Sequence, residues 1–258
     1  MSILTDAIMT GLSAVKLDQP IGLYGHVSRY DGQIIECDGF PANIGSICEV
    51  VTDGEVPAMA EVIGFNNGNN LLSIYDYGAR VLVGARVSLI DDGAQIPVGE
   101  GLLGRVTDAL GVPLDDRPLP PLEGRWPLMG KELNPLQRKP VDKPLDVGVR
   151  IINSILSVGQ GQRIGIIAGS GVGKSVLLGM MSRFTDADVV VVGMIGERGR
   201  EVGSFVNYIL GSESRDRAAV VAVPADRSPL LRIRGAERAT AIAEYFRDKG
   251  KNVLLIMD

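Results

Sequence analysis

Three residue types with strong chemistry are nearly missing here: the 258 residues hold one histidine, one tryptophan and two cysteines. Two cysteines, Cys37 and Cys48, cannot build a disulfide framework and have no metal-ligand company, so a reducing compartment is expected. The single histidine, His26, falls in a strand-rich stretch and reads as a surface or packed strand residue. Basic surplus is missing as well. A net charge of −5 and a pI near 5.1 argue against a general nucleic-acid binder, which needs a basic face to displace phosphate counterions; a local basic pore stays open. No apolar run reaches the roughly 18–20 residues that span a bilayer. No signal peptide is expected, because Asp6 interrupts the first apolar stretch and no basic segment precedes it.

What is present points to a folded chain, with 45% hydrophobic and 22% charged residues close to globular averages. Over residues 1–18, Leu4, Ile8, Leu12 and Val15 fall at helical spacing and predict an amphipathic helix, lying on its own domain or docking a partner. Over 19–92, six short β-rich runs (22–27, 33–37, 46–51, 60–65, 71–75 and 86–90) alternate with Asp31-Gly32, Asp38-Gly39, Asp53-Gly54 and Asn66-Asn67-Gly68. These turn sequences tolerate positive φ, so a small all-β barrel or sandwich is expected. Residues 111–144 carry eight prolines, Pro113, Pro118, Pro120, Pro121, Pro127, Pro135, Pro140 and Pro144, and predict an irregular, ordered connector. It should end near a helix over 145–158.

Beyond residue 160, strands and helices alternate. Strands are expected at 163–168, 189–195, 218–223 and 252–257. The first helix should bury Val176, Leu177, Met180, Met181 and Phe184. The second should bury Val202, Phe205, Val206, Ile209 and Leu210, and a third spans 236–249. Such alternation means crossover units and a parallel sheet. Arg227, Arg232, Arg234 and Arg238 read as a solvated run or a pore-lining one.

Between the first strand and its helix stands Ala168-Gly-Ser-Gly-Val-Gly-Lys174-Ser175, one methyl group short of the strict phosphate-loop pattern. Gly169, Ser170, Gly171, Val172, Gly173, Lys174, Ser175 and Val176 are the candidate nucleotide-binding residues. Glycines let the backbone wrap phosphate oxygens, the helix N-terminus adds its dipole, Lys174 reaches the β- and γ-phosphates and Ser175 offers a hydroxyl to Mg²⁺. Glu197 and Asp258 each follow an apolar strand. Taken singly, either acid could be a cap or a solvated strand end. In a parallel sheet both lie at the carboxyl edge, beside the phosphate loop. Asp258 then reads, with Ser175, as a Mg²⁺ ligand (the Walker B aspartate), and Glu197 as the carboxylate orienting the attacking water. Arg198 could touch phosphate; Arg200 reads equally as a structural partner of Glu201 or Glu197.

On these residues the chain resembles the rotary-type ATPases: F- and V-type catalytic subunits and the ATPases of flagellar and virulence type III export. Other landmarks are Gly104–Asp115, Leu145–Arg150, Gly196–Val202, Pro224–Pro229 and Ala243–Asp248. Asn134-Pro-Leu-Gln-Arg138 and Gly173–Met181 look most like the flagellar export branch, with virulence export next and F- or V-type subunits third. The resemblance implies a β-barrel domain (19–92) followed by a partial RecA-like P-loop core (93–258). It implies Mg²⁺-dependent ATP hydrolysis driving flagellar protein export, and a ring of six in the full-length protein, with ATP between subunits and an arginine from the neighbour. It further implies a stator-like regulator on the N-terminal helix, export-gate membrane proteins and chaperone–cargo complexes as partners, and a cytoplasmic position peripheral to the inner-membrane apparatus. Relatives continue past the Walker B aspartate, so a truncated sheet and weak or absent turnover are expected of these residues alone. An RNA-tracking hexamer also joins a β domain to such a core. It calls for stacking aromatics and basic strands, whereas 19–92 offers only Tyr24, Tyr30, Phe40, Phe65, Tyr75 and Tyr77, so no nucleic-acid partner is expected.

Overall fold

The computed structural model describes residues 22–258 apart from Glu55, Tyr77, Lys139 and Ser170. The expected N-terminal helix and Ser170 of the phosphate loop therefore lie outside the described residues. The chain divides into two compact units, one holding residues 22–74 and 78–92, the other 75–77 and 93–258.

The first unit is a closed barrel. Strands β1 (Tyr24–Tyr30), β2 (Ile34–Cys37), β3 (Ile47–Val50), β4 (Ala58–Asn66), β5 (Asn69–Ile74) and β6 (Arg86–Asp91) close in the order β1-β2-β5-β4-β3-β6. Closure removes every free edge. Alternation sends Val27, Ile35, Cys37, Cys48, Val50, Ala60, Val62, Leu72 and Val87 inward, each large aliphatic contributing about 1.5–3 kcal/mol by burial. The turns follow the sequence: the Asp31 carboxylate accepts the N–H groups of Gln33 and Ile34 at 2.9 and 2.8 Å, and Asn67 and Gly68 take φ of 48° and 84° between β4 and β5. Burial pushes both thiols, Cys37 and Cys48, up to about 12, which keeps them uncharged and unreactive at neutral pH. His26 lies exposed on β1.

In the second unit β7 (Gln95–Val98) leads to β8 (Val106–Thr107); β9 (Gly124–Pro127) pairs with β7, and β10 (Pro144–Leu145) with β11 (Val158–Gly159). Helix α1 (Lys174–Phe184) precedes β12 (Val189–Ile195). Then come α2 (Gly199–Ser204), continued by a π-turn over Phe205–Ile209, the one-turn α3 (Ser212–Arg215), β13 (Ala218–Val223), α4 (Pro229–Asp248) and β14 (Val253–Met257). The main sheet runs β14-β12-β13-β8, all parallel. Odd and even positions of β12 and β13 face opposite layers. Val189, Val191, Ala219 and Val221 pack with Ala239, Ile242, Tyr245 and Phe246 of α4. Val190, Val192, Met194, Val220 and Ala222 pack with Leu178, Phe205, Val206 and Leu210. Both faces are covered, as a parallel sheet requires. Among the described residues, no helix is long and apolar enough to cross a membrane.

Several local expectations are corrected. Residues 163–168 form no strand. They run beside β14, which pairs only with β12, and Ile167 is 99% exposed; an apolar strand of this kind needs cover on two faces, and the described residues supply little of it. The helix expected over 145–158 shrinks to residues 150–156, mostly π-turn, because Gly148 adopts φ 73° and breaks the αR run. Helix α1 buries Leu178, Gly179, Met181 and Ser182, while Val176, Met180 and Phe184 of the expected stripe are exposed. Helix α4 starts seven residues early, at Pro229, where the Ser228 hydroxyl accepts the Leu231 N–H at 3.2 Å; a serine cap followed by proline is a strong start signal. The proline-rich stretch contains β9, whose Trp126 is buried in the main core. Arg234 and Arg238 of the supposed solvated run are buried at 6% and 1% exposure.

Two stability predictions arise here. Arg105 and Asp115, with side chains 9% and 7% exposed, form a bidentate pair at 2.7 Å per bond, and Arg105 also donates to the Pro118 and Arg117 carbonyls. This network ties the first turn of the connector to β8. Hydrogen bonding to Arg105 holds the Asp115 carboxyl well below the usual carboxylate range. A depressed folded pKa gives stability that is present above the unfolded value of about 3.9 and is lost as pH falls below it. Asp115→Asn should cost about 3–5 kcal/mol in denaturant melts at pH 7, the cost of leaving a buried charge unpaired, and much of that difference should vanish at pH 2. At Gly148 a Cβ would fall on Phe184, and φ is positive, so Gly148→Ala should cost about 1–3 kcal/mol by the same measurement.

Candidate nucleotide-phosphate site

Two strands end side by side and deliver the acidic groups. The Asp258 N–H donates to the Gly193 carbonyl at 2.8 Å, and the Ile195 N–H donates to the Asp258 carbonyl at 2.6 Å, so the β12–β14 ladder extends to Asp258. Gly196 then turns the chain with φ 90°; its N–H reaches the Val223 carbonyl at 2.8 Å, and the Ala225 N–H reaches the Glu197 carbonyl at 3.0 Å. Glu197 is thereby fixed at the carboxyl edge of the sheet, just past the end of β12.

The loop before α1 faces the same edge. Gly171 and Gly173 take φ of 78° and 99°, and Gly173 caps α1 with no side-chain hydrogen bond. The first amide groups of this 11-residue helix are left as unpaired donors, which with the helix dipole favour an anion. Gly169, Gly171, Val172, Gly173 and Val176 are exposed, and Lys174 and Ser175 half-buried.

Lys174 joins the two halves. Its Nζ donates to Asp258 Oδ1 and lies 3.6 Å from Glu197 Oε1; the side chains of Lys174, Glu197 and Asp258 are 32%, 24% and 10% exposed. The hydrogen bond to Asp258, then the charges of Asp258 and Glu197, raise the Lys174 pKa against the opposing effect of burial. Glu197 also lies above the usual glutamate range, chiefly because Glu201 shares a hydrogen bond with it, then through burial and the Asp258 charge, with Lys174 pulling it down. A cavity of about 460 Å³ runs from Lys174 and Asp258 along β14, lined by Ile164, Ile166, Leu178 and Met257 among others.

The structure thus brings Lys174, Glu197 and Asp258 together and sets Ser175 next to Lys174 in the first turn of α1. It does not bring Arg198 to them: Arg198 is 70% exposed and lies 3.9 Å from Glu201. Among the described residues Arg200 forms no ion pair. Two further residues at the site carry weaker sequence signals. Glu201, in the first turn of α2, shares a hydrogen bond with Glu197 and is signalled in the sequence only as an acid near a helix start. Arg232 lies against Gly196, with Cδ and one terminal nitrogen 3.8 Å from where a Cβ would stand; the surrounding arginine run hides it. Among the described residues there is no cluster of three His, Cys, Asp or Glu side chains for a metal. The donor set still fits Mg²⁺, which is commonly held by one or two carboxylates plus substrate phosphates, here Asp258 and the Ser175 hydroxyl.

Known proteins of similar sequence and fold can be set beside this chain. Residues 148–258 match the model of the ATP synthase alpha/beta family, nucleotide-binding domain. The flagellum-specific ATP synthase of Pseudomonas aeruginosa is 50% identical over 243 residues, 93% of this chain and 54% of that protein. The flagellum-specific ATP synthase of Bacillus subtilis is 43% identical, with 96% and 57% covered. The type 3 secretion system ATPase of Xanthomonas euvesicatoria is 40% identical, with 91% and 53% covered. Among solved structures, the assembled ATPase EscN with its central stalk EscO, from enteropathogenic E. coli, matches with TM-score 0.82 at 40% identity, over 91% of this chain and 57% of that one. The chain spans about half the length of the curated relatives it matches. A barrel, a parallel-sheet unit, identities of 40–50% across more than nine-tenths of the chain and the matched nucleotide-binding domain together show that this chain is similar to roughly one half of the flagellum-specific ATP synthases and of a type 3 secretion system ATPase.

Proposed function

We propose that this chain belongs to the motor that hydrolyses ATP, with Mg²⁺, to drive export of flagellar proteins. The observation that carries the reading is the convergence of Lys174, Glu197 and Asp258 at one sheet edge, beside an uncapped helix N-terminus. In this reading the amides of Gly169, Ser170, Gly171, Val172, Gly173, Lys174, Ser175 and Val176 wrap the phosphates, and Lys174 leaves the two carboxylates to neutralise phosphate oxygens. Ser175 and Asp258 hold Mg²⁺. When bound, Mg²⁺ supplies Lewis-acid stabilisation of charge on the phosphates. Glu197 accepts a hydrogen bond from the attacking water and orients it for in-line attack. Arg198 is carried as an added phosphate contact, which would require it to swing from Glu201.

The active form proposed is a hexameric ring, with a cytoplasmic position at the membrane-embedded export apparatus. The N-terminal helix would meet a stator-like regulator; export-gate proteins and chaperone–cargo complexes would be the other partners. Likeness to EscN, an ATPase solved in its assembled form with a central stalk, supports an oligomer built around an axial partner. A lone chain has no arginine from a neighbour, so isolated chains should release phosphate slowly. Virulence type III export is the second reading, supported by the EscN likeness at 40% identity; the flagellar proteins of Pseudomonas aeruginosa and Bacillus subtilis stand higher, at 50% and 43%. An F- or V-type catalytic subunit comes third, disfavoured by Asn134–Arg138. Motility and flagellin secretion in a strain carrying Glu197→Gln test the choice: loss of both supports the flagellar reading, and normal swimming overturns it.

A further inference from the structure

Arg232 has no part in the hydrolytic scheme, yet its surroundings are unusual. Its Nε is buried and has no hydrogen-bond partner, and its side chain forms no ion pair among the described residues. Its Cδ and one terminal nitrogen lie 3.8 Å from where a Cβ on Gly196 would stand, and Gly196 is the residue before Glu197 in the chain. Its own backbone cannot drift: the Arg232 N–H donates to the Ser228 carbonyl at 3.1 Å, inside the capped first turn of α4, and Gly235 lets the helix press onto Val223.

The charges that act on the Glu197 carboxylate come from three elements, Lys174 on α1, Glu201 on α2 and Asp258 after β14, while Arg232 on α4 lies by the preceding residue, Gly196. Arg198 is directed to Glu201. In the structure Lys174 serves both Asp258 and Glu197. A phosphate that captures Lys174 takes away the cation nearest Glu197 and leaves it facing two other carboxylates. Buried, unpaired donors are costly and are kept where they acquire a partner. We propose that Arg232 is a positioning residue: when Lys174 is bound to phosphate and the transferring phosphoryl group and attacking water are both in place, Arg232 becomes the cation that holds the Glu197 carboxylate toward that water. This rests on Glu197 being the carboxylate that orients that water.

The test is binding of two probes to the chain: MgADP, and MgADP with fluoroaluminate, which mimics the phosphoryl group in transfer. Arg232→Gln should weaken the fluoroaluminate complex about 10- to 100-fold, as loss of an outer-shell partner does, and leave MgADP binding unchanged. Arg232→Lys should restore most of the loss. Arg232→Met, which keeps the buried stem, should behave as Arg232→Gln and guards against a folding defect. In a Glu197→Gln background, Arg232→Gln should have no further effect. The proposal is overturned if Arg232→Gln binds both probes as the wild type does, if both probes weaken equally, or if the losses add in the double variant, which would put Arg232 on the phosphate itself. Should Lys174→Ala and Glu197→Gln leave both probes unaffected, the reading of the whole site fails, a result distinct from failure of Arg232 alone.

Discussion

Lys174→Ala is expected to abolish measurable hydrolysis, with turnover reduced about 10²–10³-fold or more, the effect of deleting one preorganised donor to a transition-state charge. Two further consequences follow from its place between the carboxylates. The ammonium is the one positive charge bonded to Asp258 among the described residues, so its removal leaves Asp258 without its counter-ion and takes from Glu197 the cation paired with it. Nucleotide affinity should therefore fall together with turnover, because the remaining charges repel triphosphate. Lys174→Arg should not rescue. A guanidinium is planar and wider than an ammonium, and the loop ahead of α1 is held by two glycines at positive φ. Fluorescent ATP-analogue titration and phosphate release, read side by side, check both statements.

Glu197→Gln separates binding from chemistry. The amide keeps the shape and can still hydrogen-bond Glu201, but it cannot draw a proton from water. Hydrolysis should fall about 10²–10⁴-fold, while affinity for MgATP is retained or rises, since one negative charge beside the phosphates is gone. The wild-type pH profile supplies a linked expectation. Glu201, burial and Asp258 raise the Glu197 pKa, so protonation removes the working carboxylate at higher pH than for an ordinary glutamate, and the acid limb of hydrolysis should be displaced upward accordingly. Glu201→Gln removes the first of those causes and should move the limb toward lower pH. An unmoved limb would show that another group sets it.

The barrel is legible in the sequence almost strand for strand, because alternation and the Asp-Gly and Asn-Gly turns are local signals. So is the placement of Glu197 and Asp258, since residues that follow parallel strands share one edge whatever the loop details; Lys174 reaches both although the strand expected ahead of its loop does not form. What the sequence does not show depends on partners distant in the chain. Residues 163–168 look like a buried strand, but a strand apolar on both faces requires cover as well as a ladder, and here Ile164 and Ile167 are exposed and no ladder to β14 forms. The buried face of α1 is not legible because Val176, Met180 and Phe184 are as apolar as Leu178 and Met181; only packing against Ile209 and β12 selects the face. In the arginine run of α4, charge suggests solvent, whereas Arg234 and Arg238 are buried and Arg232 is inserted beside Gly196. No periodicity distinguishes an arginine beneath a turn from one in water.

A crystal structure of the chain with MgADP tests the central claim most directly. The account predicts that Lys174 Nζ leaves Asp258 for the β-phosphate oxygens, with the loop amides around them and Ser175 and Asp258 beside the magnesium. Nucleotide bound elsewhere, with the Lys174–Asp258 pair intact at the end of β14, would contradict it.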